Sequence, residues 1–94
     1  MRTVVKEHEV SDFIDREVQS YPRLRDVIAG LEWLLSRKPD LDAAVLIPGS
    51  EARTGHQMYL LKTMNLDAYR AGPPLRLIYY YTDEEVVFWG IGFD

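Results

Sequence analysis

Four cations crowd one stretch of a chain that is otherwise acidic. Between residues 53 and 76 lie Arg53, Lys62, Arg70 and Arg76 with a single carboxylate, Asp67. That stretch carries +3 in a protein of net charge −4, so the remainder carries −7. A cluster of this sign can hold an anion, since a guanidinium grips two phosphate oxygens at once. The plainer reading is chance clustering on a small surface, with Arg76 in an ion pair and Lys62 guarding a strand edge. His56 lies between Arg53 and Lys62, and imidazole is the side chain best matched to proton transfer near neutral pH. Chemistry on a bound phosphate would need a cation for its charge and a group that moves a proton. Arg76, Lys62 and His56 are the candidates for those parts; a histidine in a loop is more often simply solvated, and His8 has less to recommend it.

Aromatic residues stand beside these cations. Tyr79-Tyr80-Tyr81 offers rings on which bases stack, although strand tyrosines more often pack half-buried with a wet hydroxyl. Alternation lets only Tyr80 share a face with Arg76. Arg53, Arg70, Tyr80 and Trp89 are therefore the candidates for contact with RNA or a partner. Trp33 and Trp89 read as core or interface. No histidine pairs with acids or cysteine at metal-ligand spacing, and Asp83-Glu84-Glu85 reads as a turn. There is no glycine-rich phosphate loop, nucleophile motif or cofactor signature, so neither a metal nor a cofactor is expected.

The elements that must position these residues change period near residue 40. Thr3-Val4-Val5 is β-branched and opens a strand over residues 2–7. Ser11 offers an N-cap for a first helix through Phe13, Ile14, Val18 and Tyr21, and Pro22 suits the first turn of a second. In that helix Leu24, Val27, Ile28, Leu31, Leu34 and Leu35 recur at three- and four-residue steps. The stripe predicts that Leu31 and Leu34 are buried. Arg37 and Lys38 occupy its last turn and Pro39 ends it. Residues 12–38 thus predict an antiparallel helical hairpin packed on one face of a sheet.

Ala43 to Ile47 is either a short strand or a buried connection. Pro48-Gly49-Ser50 and Thr54-Gly55 mark an exposed loop. Met58 to Thr63 reads as a strand, and Ala71-Gly72-Pro73-Pro74 as a rigid approach to the next. Leu75–Tyr81 and Glu85–Phe93 form a hairpin around Thr82-Asp83-Glu84. Its turn places Tyr81 opposite Val86, Tyr79 opposite Phe88 and Ile78 opposite Trp89. One sheet face then carries Leu75, Leu77, Tyr79, Tyr81, Val86 and Phe88, and the other Arg76, Ile78, Tyr80, Val87, Trp89 and Ile91. Two helices cover one face only, and the second is too apolar for bare solvent. The 64–74 loop, a second copy of the chain or a partner is the expected cover.

Ninety-four residues make one domain, 1–94, with a thin core. The absence of cysteine fits a reducing, cytoplasmic setting. The first residues hold too short an apolar run for a signal peptide, and no stretch is long enough for a membrane span. Net acidity argues against a protein that coats nucleic acid generally. The fold class is α+β: an N-terminal strand, an antiparallel helical hairpin, then a mostly antiparallel sheet of three or more strands covered by the helices on one face.

That layout resembles the RelE/ParE family of type II toxin–antitoxin toxins. Pro74-Leu75-Arg76-Leu77-Ile78-Tyr79-Tyr80-Tyr81 followed by Asp83-Glu84-Glu85-Val86-Val87-Phe88-Trp89-Gly90-Ile91 is similar to that family's last two strands. Leu31-Glu32-Trp33-Leu34-Leu35 with Pro39-Asp40-Leu41 resembles its second helix and exit. The resemblance implies a toxin neutralised by a cognate antitoxin, acting either as a ribosome-dependent mRNA endoribonuclease or on DNA gyrase. It implies that Arg76 is the strand arginine, with Lys62 and Arg53 as further basic residues. Ile91-Gly92-Phe93-Asp94 supplies no His, Tyr or Arg where cleaving members have one, and it adds an acid, which points to a gyrase-directed or catalytically silent member as the alternative. From a different class, the apolar sheet face suits a non-enzymatic interaction domain, a homodimer.

Overall fold

The computed structural model describes residues 1–63 and 72–94. Its elements are β1 (Thr3–Lys6), α1 (His8–Glu17), α2 (Leu24–Arg37), β2 (Val45–Leu46), α3 (Ser50–Thr54), β3 (Tyr59–Lys62), β4 (Leu75–Tyr81) and β5 (Glu85–Phe93). The strands form one sheet in the order β1-β5-β4-β3-β2. β1 runs parallel to β5, and the other three pairings are antiparallel. The chain is α+β, with the helical hairpin on one sheet face. Among the described residues no helix is long and apolar enough to cross a membrane.

The core lies between that hairpin and the sheet. Val10, Phe13 and Ile14 of α1 and Leu24, Ile28 and Leu35 of α2 meet Leu61, Leu75, Leu77, Tyr79, Val86 and Phe88. Alternation does the sorting on β4, since Leu75, Leu77 and Tyr79 point inward while Arg76 between them is exposed. Tyr79 is fully buried and its hydroxyl donates to the Pro39 carbonyl oxygen at 2.6 Å. That bond ties the exit of α2 to the middle of the sheet.

Three expectations about local structure need correction. α1 begins at His8, with Glu7 as its N-cap residue, so Ser11 lies inside the helix. Val10 extends the Phe13/Ile14 stripe back by three residues, and burying it draws the helix start to the end of β1. On α2, Leu31 and Leu34 are only half-buried, whereas Leu24, Ile28 and Leu35 are enclosed. The stripe is turned slightly from the face that the spacing suggested. Third, residues 50–54 form a short helix within the segment that reads as a loop.

The hairpin register departs from a regular ladder at one place. Tyr79 pairs with Phe88, but Ile78 pairs with Gly90, leaving Trp89 as an extra residue on β5. A bulge of this kind shifts the sides of everything beyond it. Ile78 is therefore not opposite Trp89, and Ile91 pairs with Leu77 and packs on the helix-covered core. Phe93 follows on the same side, meeting Phe13 and Tyr21 edge-on at 5.1 and 5.5 Å between centroids.

The second sheet face is partly covered by the chain itself. Met58 and Val87 lie on that face and are 2% and 4% exposed. Residues 47–58 lie over part of the face, with His56 stacked on Tyr80 and the Met58 amide donating to the Ser50 hydroxyl at 2.9 Å. Gly49 and Gly55 bracket α3 with φ of +74° and +84°, a region that favours glycine. Of the 64–74 loop, expected as a cover, residues 64–71 lie outside the described residues.

Candidate functional site

Two groups of the expected site residues meet on the second sheet face, at opposite ends. Lys62 closes β3 and stands directly opposite Arg76 of β4. Like charges so placed repel. Asp94 relieves this, with its carboxylate 3.6 Å from the Lys62 ammonium and 4.0 Å from the Arg76 Nε. The Asp94 amide donates to the Pro74 carbonyl oxygen at 2.8 Å, which prolongs the β4–β5 ladder by one bond. Gly92 pairs with Arg76, so no side chain stands between the guanidinium and that carboxylate. Lys62 and Arg76 are about half exposed and Asp94 about a third, so water screens their attraction.

The second group lies four residues further along β4, about 13 Å at the usual strand rise. His56 stacks on the Tyr80 ring with centroids 3.9 Å apart and planes 10° from parallel. Its backbone is held by the Thr54 hydroxyl, which accepts from the His56 amide at 3.3 Å. The imidazole thus covers one face of Tyr80, the ring expected to stack a base. Arg53 sits on α3, where its guanidinium makes a 3.5 Å contact with the Pro48 carbonyl oxygen. Trp89 stands across from it, raised by the bulge and 45% exposed.

The structure therefore brings Lys62 and Arg76 together and keeps His56 apart from them. Arg53, Tyr80 and Trp89 belong with His56, and Arg70 lies outside the described residues. Trp33 is exposed on the outer face of α2, with the Arg37 guanidinium 4.2 Å above its ring, so it is not part of the core. His8 pairs with Asp12 on α1 at 3.0 Å and lines a separate hollow on the other side of Trp89. Among the described residues no three His, Cys, Asp or Glu side chains gather as a metal ion requires.

Chemically, the Lys62–Arg76 pair can hold an anion, and Asp94 is the anion it holds here. Two features escaped reading from the sequence. The Asp94 pairing was signalled only by an acid following a strand. The re-aimed Trp89 was hinted at by Gly90, since glycine within a strand often marks a bulge. Comparison with protein-family models, with curated proteins and with solved structures finds no match.

Proposed function

We propose that this chain is the toxin-like component of a toxin–antitoxin pair of the RelE/ParE kind, working in the cytoplasm and held in check by a cognate antitoxin. The observation that carries this reading is the Lys62–Arg76 pair, two cations facing each other across β3 and β4 on the sheet face away from the helices. Such a pair suits a phosphate backbone or an acidic partner surface. In the narrower form of the proposal, the anion is mRNA on the ribosome and the protein is an endoribonuclease. The position of Asp94 favours a second form, a gyrase-directed or catalytically silent member that binds without cleaving. Its carboxylate competes for both cations, and His56 stacks on Tyr80, four residues further along β4 than Arg76, rather than beside the cation pair.

Arg76→Ala tests the proposal through three readouts. Arg76 is exposed, so the melting temperature should stay within a few degrees of the parent protein, while growth arrest on induction is lost. Arrest that persists with undiminished antitoxin affinity would remove Arg76 from the site. A lowered melting temperature with parallel loss of activity would make its role structural. If cleavage is the activity, the loss should reach about a hundredfold or more in rate.

A further inference from the structure

A slot opens between α3 and Trp89 on the second sheet face. It encloses about 360 Å³ and is lined by Ile47, Ser50, Arg53, Thr54, Met58, Ile78 and Trp89. That volume falls within the range of small-molecule sites. Its walls are fixed at both sides. Trp89 is held up by the β-bulge, and bulges recur where a side chain must be re-aimed. α3 is tied to the residues that follow it by the Ser50–Met58 hydrogen bond and by the His56 amide, which donates to the Thr54 hydroxyl at 3.3 Å. Ser50 and Thr54 are thus occupied within this segment. The indole remains to meet a ligand, and so do the donors of the Arg53 guanidinium beyond the one that contacts the Pro48 carbonyl oxygen at 3.5 Å.

An exposed indole beside a guanidinium, over a floor of Met58 and Ile78, suits a flat ring that carries an anionic group. Charge decides which side of the indole such a ligand would take. On its far side Trp89 borders a second hollow, lined by Glu7, His8, Glu9 and Gly90, where two carboxylates would repel an anion. On the near side the charged lining residue is Arg53. Tyr80 does not compete as a platform, because His56 already lies on its ring.

We propose that the slot between α3 and Trp89 binds a single nucleotide, its base against the indole and its phosphate on Arg53. Base–aromatic stacking tolerates any base, so no preference among the four is built in. The site stands apart from Lys62 and Arg76 and does not depend on the toxin reading. A nucleotide can reach it free or as an unpaired residue of single-stranded RNA.

The experiment uses the full chain carrying Trp33→Phe, which leaves Trp89 as the one tryptophan. Titration with AMP, GMP, CMP and UMP should quench its emission saturably, whereas inorganic phosphate should not. Nucleosides, and the Arg53→Ala variant with AMP, should bind about tenfold more weakly, the scale of one charge-assisted hydrogen bond. Arg53→Gln keeps the side-chain stem and replaces Arg53→Ala if the latter melts lower. A hexaribonucleotide that outcompetes AMP tenfold or more identifies RNA as the source, and one no better than AMP identifies the free nucleotide. Absence of quenching by any nucleotide or hexamer up to about 10 mM would overturn the proposal. So would quenching that inorganic phosphate reproduces and Arg53→Ala leaves unchanged.

Discussion

Lys62 and Arg76 oppose each other across two strands, and the Asp94 carboxylate offsets part of their repulsion. Exposed ion pairs contribute only about 0–1 kcal/mol each, so Asp94→Asn should lower the melting temperature slightly. Its larger effect should be on anion binding. Freed of their internal partner, the two cations should hold the protein on heparin to a higher salt concentration than the parent. Elution at unchanged salt would mean that Asp94 does not compete for the pair. Tyr79 makes a separate prediction. Burial pushes its hydroxyl far above the ordinary tyrosine value, with Tyr81, Tyr59 and Asp40 adding to the shift. A raised folded-state value means that this contribution is complete below the unfolded value of 10.0 and is lost as pH climbs beyond it. Tyr79→Phe should therefore flatten the alkaline fall in stability. Burial also raises Tyr81, in the same direction, so the fall should be reduced rather than abolished. At neutral pH the same change leaves the Pro39 carbonyl without its donor and should cost about 1–3 kcal/mol. Urea midpoints measured at neutral and alkaline pH check both parts.

Among the elements, α2 and the approach to β4 bear most directly on stability. Leu35 is fully enclosed and Leu31 only half so; Leu35→Ala should cost about 2–5 kcal/mol and Leu31→Ala clearly less, read as shifts in denaturant midpoint. Equal shifts would mean that the helix is turned differently. Gly72 has φ of +87°, and a Cβ there would lie 3.1–3.2 Å from the Tyr21 and Phe93 rings. Gly72→Ala should thus destabilise by more than about 1 kcal/mol, through both backbone strain and crowding of that aromatic corner. Which of these elements could be read from the chain follows from how local their causes are. β4 was legible because Leu75, Leu77 and Tyr79 alternate with their neighbours and a short acidic turn follows. α2 was legible in its span, with Pro39 closing it, but not in its rotation, which depends on where the sheet lies. The start of α1 was missed because Ser11 mimics a cap, while the burial of Val10 is a tertiary matter. The bulge at Trp89 and the folding of α3 over the second face arise from contacts distant in sequence. For the same reason the cationic candidates were legible as a cluster, but their division into two groups was not.

At the scale of the whole molecule, an acidic body presents cations on the one sheet face its helices leave open. Part of that face is closed by residues 47–58, so a partner would contact the Lys62–Arg76 end and the Trp89 ridge, with less apolar area between them than the sheet alone suggests. This arrangement favours recognition by charge and by a few exposed rings over self-association through a broad apolar surface. In the function proposed above, this face disables a cellular target until an antitoxin covers it. The most direct measurement is the growth of a bacterial culture after induced expression of the chain, alone and together with the product of its adjoining reading frame. Growth should arrest when the chain is expressed alone and recover on co-expression. Undisturbed growth with the folded protein accumulating in the cells would contradict the proposed function.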